Sequence, residues 1–177
     1  MGINLNLKII DAKPKDKKIY YQIKKQTCEK FVNKYFGGWN KNEQIKYNNK
    51  IFKQSLEQTC FKVVKVNNKP VGFFGYSIFD KHIGCVTLQI LDIEQRTSVF
   101  EHLLNKLVKL SDELSLPVYA KTFLDSTDID LYKKSEFEII STTSSHYILK
   151  KQNKENCMPR KQYEVFANEK FDGETKK

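Results

Sequence analysis

The segment whose residue types best suit chemistry on an anionic ligand is QRTSVFEHLL, residues 95–104. It follows the apolar run VTLQIL and begins a stretch with apolar residues at three- and four-residue steps, which predicts a strand, a turn and an amphipathic helix. The first amides of a helix lack internal partners, and the helix dipole adds positive potential, so such a turn can hold a phosphate. Arg96 and Ser98 would add hydrogen-bond donors. Because the turn has no glycine, a strand-to-helix corner without a ligand is the alternative.

The charge of the chain would attract anionic partners, since the net charge of its 177 residues is +10. The lysines are scattered along the whole sequence, however, and neither a zinc-finger spacing nor a basic-aromatic RNA-binding motif occurs. The charge therefore indicates a solvated basic surface more than a nucleic-acid site.

Cysteine and histidine usage indicates free thiols and no metal site. The chain has three histidines, and its cysteines stand far apart, at Cys28, Cys60, Cys85 and Cys157. The N-terminal residues contain no long apolar run, which predicts neither a signal peptide nor a membrane span. A reducing, cytoplasmic location fits this composition best.

Periodicity predicts a mixed α/β domain over residues 1–150. The predicted order is one strand, two helices, three strands of an antiparallel meander, a helix, a strand, a short helix, and one bent strand or two short ones. Asn40 or Asn42 is expected to cap the second helix, and Asp125 or Ser126 the last helix.

A tail over residues 151–177 has mixed charge and no sustained period. It is expected to be partly disordered or loosely docked, with Tyr163, Val165 and Phe166 as its anchoring candidates.

Three segments, in this order of elements, resemble the GNAT superfamily of acyl-CoA-dependent N-acyltransferases. They are YFGGWNKNEQIKYNNKIF, VTLQILDIEQRTSVFEHLL and DSTDIDLYKKSEFEII. These are similar to the family's segment between the first two helices, its central strand with the phosphate turn, and its Asn-x-x-Ala-x-x-Leu-Tyr helix. The resemblance covers residues 5–150 and implies a mixed α+β fold: a mostly antiparallel sheet of six to seven strands, about four helices and splayed middle strands.

The resemblance implies transfer of an acetyl group from acetyl-CoA, the cosubstrate, to an amine of a small molecule or a protein, with no metal. It places the pyrophosphate on the turn, and the pantetheine arm on the backbone of the preceding strand. The cofactor-binding residues implied in this way are Ile90, Leu91, Asp92, Gln95, Arg96, Thr97, Ser98, Val99, Phe100, Asp125, Asp128 and Tyr132. No membrane partner is expected, and a homodimer is compatible with the resemblance.

Tyr132, in DLYKK, is the general acid that the resemblance implies, because the family's tyrosine at this place can protonate the leaving thiolate. Amine acetylation also needs a proton acceptor, for which Glu43 is our first candidate and His82 and Glu94 are alternatives. The expected acceptor pocket is formed by Tyr35, Phe36, Trp39 and Gln89.

Four positions near the cofactor site depart from the family pattern. Ser98 and Phe100 stand where glycine is usual, and Asp125 stands where an asparagine is common. Glu136 replaces a glycine, which costs about 1 kcal/mol if that position is left-handed. Two further hypotheses therefore stay open: a non-catalytic GNAT-like binding or regulatory protein, and a basic nucleic-acid-binding protein. A Phe100 ring in the core would leave the turn amides open, whereas a ring across them would block the site.

Overall fold

A sheet of seven strands forms the centre of the protein, which a computed structural model describes over residues 6–152. The strands are β1 (Leu7–Asp11), β2 (Cys60–Val66), β3 (Lys69–Phe79), β4 (His82–Ile90), β5 (Val118–Phe123), β6 (Phe137–Thr142) and β7 (His146–Lys151). The helices are α1 (Lys17–Tyr35), α2 (Lys41–Ser55), α3 (Arg96–Leu114) and α4 (Asp128–Lys134), with a 3-10 turn at Pro14–Asp16 before α1. These seven strands and four α-helices of residues 6–152 confirm the predicted mixed α+β fold.

The strands lie in the order β1-β2-β3-β4-β5-β7-β6. Every neighbouring pair is antiparallel except β4 and β5, which are parallel. The β2–β3–β4 meander is confirmed, and the last strand region forms two strands. Asn67 and Asn68, between β2 and β3, both have positive φ (50° and 62°), the conformation that a tight two-residue hairpin turn requires.

Two helix starts show how local chemistry sets the element boundaries. The side chain of Asn40 caps α2, because its Oδ1 accepts from the N–H groups of Asn42 (3.1 Å) and Glu43 (3.2 Å). At α4 the N-cap position is Thr127; the predicted Ser126 contributes its hydroxyl, which accepts from the Asp128 N–H at 3.2 Å, and the predicted Asp125 does not cap the helix. The physical reason is that Asp125 is bound elsewhere, by Lys34 and Tyr35 of α1.

Helices cover both faces of the sheet, and alternating strand residues serve the two layers. Phe73 packs with Tyr20 of α1 and Phe52 of α2. Its neighbour Phe74 belongs to the opposite core, which contains the apolar residues of α3 and α4. The larger core therefore lies on the α3–α4 face, and a smaller aromatic core lies on the α1–α2 face.

The two middle strands diverge after a single paired position. Ile83 of β4 pairs with Val118 of β5, and the Ile83 N–H donates to the Pro117 carbonyl at 2.9 Å. A β-bulge follows, since two residues of β4, Cys85 and Val86, stand opposite one residue of β3, Tyr76, and Cys85 has φ of 51°. Strand β4 bends there, and the predicted splay of the middle strands is present.

The remaining predictions concern single positions and the chain ends. Glu136, directly after α4, is left-handed with φ of 64°, the conformation that favours the glycine usual there. Among Cys28, Cys60 and Cys85 no disulfide forms. Within residues 6–152, no helix is both long enough and apolar enough to span a bilayer. The tail predictions, and Cys157, lie outside the described residues.

Candidate active site

The divergence of β4 and β5 opens a cavity of about 610 Å³, a size typical of small-molecule sites. Residues on its two sides come from the two helical layers. The α3 side of the cavity comprises Ile90, Asp92, Arg96, Ser126, Thr127, Asp128 and Tyr132. The α1 side includes Lys24, Cys28, Lys30, Phe36, Trp39, Glu43, Tyr47, Gln89, Lys121, Phe123 and His146.

The backbone of β4 presents unpaired positions to this cavity. The Leu91 N–H donates to the Val71 carbonyl at 2.8 Å, which assigns Leu91 to the β3 ladder. In an antiparallel ladder, hydrogen bonds to one neighbour alternate along the strand. The peptide groups of Leu88 and Ile90 therefore point to the other edge, where β5 has moved away. Of the backbone positions expected to bind a ligand, Ile90 faces the splay and Leu91 does not.

The start of α3 offers main-chain donors. The first helical bond is donated by Val99 to the Gln95 carbonyl (3.0 Å), and the Arg96 N–H donates to the Ile93 carbonyl (2.9 Å). The amides of Thr97 and Ser98 precede the first helical bond, and no side chain caps this helix. Dipole and donors together make this end of α3 attractive to an anion.

Phe100 leaves these donors uncovered. Its side chain is 0 % exposed and lies in the same core as Leu103 and Leu104. The ring meets the Tyr132 ring edge to face, with 5.6 Å between the ring centroids. The bulky residue in the place of a glycine therefore adds to the core and does not lie across the turn.

The side chains of the turn contribute less than its backbone. Ser98 and Val99 line a separate groove beside Leu7 and Ile9 of β1, so the Ser98 hydroxyl faces away from the cavity. Thr97 is exposed, and the Gln95 amide donates to Glu94 at 3.2 Å. Of the predicted turn, only the Arg96 side chain lines the cavity.

Arg96 and Asp128 form an ion pair at the α3 side of the cavity. The Arg96 Nη2 and Asp128 Oδ1 atoms are 2.5 Å apart, and the two side chains are 23 % and 16 % exposed. The pair joins the starts of α3 and α4. A charge-assisted bond of this kind neutralises the carboxylate beside the helix start.

Tyr132 lies at the centre of the α3 side. It is 3 % exposed, and its ring packs edge to face on Phe100 and on Phe137. Burial, and secondly the charge of Asp128, raise the pKa of the Tyr132 hydroxyl above its ordinary value. The hydroxyl therefore keeps its proton at neutral pH and can act as a donor in the cavity.

Three of the four expected pocket residues line the α1 side of the cavity: Phe36, Trp39 and Gln89. The Gln89 amide lies 3.5 Å from the Cys28 sulfur. Glu43, at the start of α2, is exposed and also lines this side.

Tyr35 and Asp125 lie together outside the cavity lining. The Tyr35 hydroxyl donates to the Asp125 carboxylate, and Lys34 Nζ is 2.6 Å from the same oxygen. The Tyr35 ring stacks on Phe123, with 6.3 Å between the ring centroids. This cluster ties the end of α1 to the loop after β5, so both side chains brace the cavity wall.

The two alternative proton acceptors lie away from the cavity. His82 stands at the opposite end of β4 from Ile90, and its ring stacks on Phe79 with the centroids 4.6 Å apart. Glu94 is exposed and accepts the hydrogen bond from Gln95. Neither residue lines the space between the splayed strands.

His146 is a site residue that sequence reasoning missed. It begins β7, lines the cavity, and packs on Phe123 with the ring centroids 4.1 Å apart. Burial, followed by the charges of Lys121 and Lys24, lowers the pKa of His146 to about 4, so the ring is neutral at pH 7. In the sequence it is a lone histidine in a strand pattern, and only the sheet order brings it beside β5.

No group of three or more His, Cys, Asp and Glu side chains within residues 6–152 has the arrangement of a metal site. The described part of the cavity therefore offers hydrogen-bond donors, one ion pair, ammonium groups and a neutral imidazole.

The arrangement of elements matches solved acetyltransferase structures. The PaiA N-acetyltransferase of Thermoplasma acidophilum, solved in complex with coenzyme A, superposes with a TM-score of 0.65 at 12 % identity, over 83 % of this chain and 99 % of its own. A GNAT-family protein of Desulfovibrio desulfuricans gives 0.55 at 12 % identity, over 81 % and 96 % of the two chains. The chain has the GNAT fold. The ribosomal-protein-S18-alanine N-acetyltransferase of Escherichia coli shares this GNAT fold, with a TM-score of 0.60 at 13 % identity, over 88 % and 97 % of the two chains. No protein-family model and no curated protein matches the sequence.

Proposed function

We propose that the protein is an N-acetyltransferase that uses acetyl-CoA as its cosubstrate. The observation that carries the proposal is the continuous path from the open β4 edge to the uncapped start of α3, with the Phe100 ring withdrawn into the core. The shared fold supports it, because one protein of that fold was solved with coenzyme A.

The residues present fit the two ends of such a cosubstrate. The amides of Thr97 and Ser98 and the Arg96 guanidinium would bind the phosphates. The free peptide groups of Leu88 and Ile90 would pair with the amides of the pantetheine arm. Acetyl-CoA supplies the activated acyl group, and the protein supplies position, a proton donor and a proton acceptor.

Tyr132 is the proton donor in this proposal. Its raised pKa keeps the hydroxyl protonated until a strong base, the leaving thiolate, develops beside it. On the α1 side, Glu43 is the group that we assign to take the proton from the acceptor amine, because the His146 imidazole on the same side resists protonation. The acceptor amine would approach from that side, where Phe36, Trp39 and Gln89 lie.

Calorimetry and thermal unfolding with acetyl-CoA test the proposal directly. A ligand that binds only the folded protein stabilises it by about 2.7 kcal/mol at a hundredfold excess over Kd. We expect a saturable rise in Tm, and release of the coenzyme A thiol when an amine mixture is added. No binding at millimolar acetyl-CoA would sink the proposal.

One observation favours a second function, a GNAT-fold binding domain without catalysis. Asp128 places a carboxylate beside the start of α3 and engages Arg96, which would otherwise be available to a phosphate. That function predicts no acetyl-CoA binding by the wild-type protein, and a gain of binding in Asp128→Asn, which releases Arg96 from the ion pair. Tight binding by both proteins, with thiol release that depends on Tyr132, excludes it.

A further inference from the structure

The α1 side of the cavity contains basic side chains from three separate elements. Lys24 comes from α1, Lys121 from β5 and His146 from β7, and all three line the cavity. The charges of Lys24 and Lys121 both reach His146 and disfavour its protonation. The two ammonium groups therefore lie in the same part of the cavity wall, near His146.

Lys24 lacks an acidic partner within residues 6–152, unlike two other lysines of α1. Lys25 pairs with Glu29 (3.8 Å), and Lys34 pairs with Asp125 (2.6 Å). Burial lowers the pKa of Lys24, whereas the ionised forms of Cys28, Tyr20 and Tyr47 would raise it. A charged, half-buried ammonium without a carboxylate is costly unless a ligand supplies the counter-charge.

The balance of charge on this side is positive. Among the described residues that line the α1 side, Glu43 is the acidic one, and it is exposed at the start of α2. Lys24, Lys30 and Lys121 oppose it. A second cation brought into this space would be repelled, whereas an anion would be stabilised.

We propose that the acceptor amine also carries an anionic group, a carboxylate or a phosphate, which binds between Lys24 and Lys121. This inference rests on the proposed function, because it names the substrate class for the same cavity. The phosphates of the cosubstrate are not the anion in question, since their proposed site is the start of α3 on the opposite side of the sheet. The basic charge of the α1 side is thereby assigned to recognition of the acceptor.

Equilibrium binding of matched amines tests the proposal without depending on turnover. The protein, saturated with coenzyme A, is titrated by calorimetry with 4-aminobutanoate, 4-aminobutanamide and 1,4-diaminobutane, which differ in charge at one end. Ethanolamine and O-phosphoethanolamine form a second pair. We expect one of the anions to bind about tenfold or more tightly than its neutral partner, the size of one charge-assisted hydrogen bond. The pair that shows the larger ratio distinguishes a carboxylate acceptor from a phosphate acceptor.

Lysine variants locate the effect. Lys24→Met and Lys121→Met remove a charge but keep an apolar stem, and each should remove most of the preference for the anion. Lys25→Met is the matched control, because Lys25 is on the same helix, is exposed and pairs with Glu29. Lys25→Met should leave the preference for the anion unchanged. None of the three variants should change the affinity for acetyl-CoA.

Three results would overturn the inference: a diamine that binds as well as the anions, anions that bind no better than their neutral partners, or Lys24→Met weakening acetyl-CoA binding. The outcome for the proposed function is separate. Preferential binding of an anion without thiol release would retain this inference and reject catalysis, whereas acetylation of neutral and cationic amines alone would do the reverse.

Discussion

The two sides of the cavity present different kinds of polar group. On the α3 side the donors are mainly peptide groups, and the principal charges, Arg96 and Asp128, are already paired. On the α1 side the polar groups are side chains, and the Lys24 charge has no acidic partner in residues 6–152. Backbone recognition tolerates sequence change because every residue but proline has an N–H. Side-chain recognition does not, so the α1 side is where this chain would acquire its own specificity.

The largest expected effect is that of replacing Tyr132, the proposed proton donor on the α3 side. Tyr132→Phe removes the proton donor and retains the ring that packs on Phe100 and Phe137. We expect kcat to fall about 100-fold, in the range for loss of a general acid, with little change in the Kd of acetyl-CoA. Steady-state kinetics and calorimetry measure the two quantities. An unchanged kcat would remove Tyr132 from the mechanism.

A pH titration of stability tests the buried imidazole on the α1 side. The folded protein resists protonation of His146, whose pKa is lowered to about 4, while an unfolded histidine titrates near 6.5. The unfolded state therefore binds more protons between these values, and stability is lost as the pH falls from about 6.5 to about 4, by up to about 3 kcal/mol. Urea unfolding at several pH values measures this loss.

His146→Phe is the matched variant for that titration, because the ring is retained beside Phe123 and the titrating nitrogen is removed. Its free energy of unfolding should depend less steeply on pH over the same interval. A variant with the same slope as the wild type would show that other groups cause the acid sensitivity.

A proline substitution tests whether main-chain donors hold the cosubstrate phosphates. Thr97→Pro removes one N–H in the first turn of α3, where proline is tolerated. We expect the Kd of acetyl-CoA to rise about tenfold, the effect of one hydrogen bond to a charged group. Thr97→Ala keeps the N–H and removes only the exposed side chain, so it should bind normally. Equal losses of acetyl-CoA affinity in the two variants would indicate that the Thr97 hydroxyl, and not the Thr97 N–H, binds the phosphates.

The smallest expected effect concerns Asp125, a residue expected at the cofactor and found on the outer wall. Its carboxylate is held by Lys34 and Tyr35, which lower its pKa, and these groups are largely exposed. Asp125→Asn should leave acetyl-CoA affinity unchanged and lower Tm only slightly, because exposed ion pairs contribute little. Calorimetry measures the acetyl-CoA affinity of this variant. A tenfold loss of affinity would show that Asp125 contributes to cosubstrate binding.

The sequence was sufficient to predict features that depend on local pattern. The element order followed from periodicity, and Asn40, one of the two candidates, caps α2. Phe100 posed a question that pattern could not answer, because a buried and a blocking ring have the same spacing in the chain. Only the packing of α3 on the sheet decided it.

Features that depend on contacts between distant residues were missed. The hydrogen bond from Tyr35 to Asp125 spans 90 residues. It engages the Asp125 carboxylate, which local sequence reasoning expected to cap α4. His146 entered the cavity because β7 inserts between β5 and β6, an order that no sequence period encodes. Lys24 looked like one of many scattered lysines, and its significance lies in the acidic partner that its neighbours have and it lacks.

The bulge at Cys85 links the open cleft to the number of residues in β4. Strand β4 has one residue more than β3 between the paired positions Ser77–Gly84 and Gly75–Thr87. Deleting that residue would leave the pairing on both sides in phase and remove the bend, so that β4 could run straight along β5. The extra residue of β4 thus coincides with the place where β4 leaves β5 and the cavity begins.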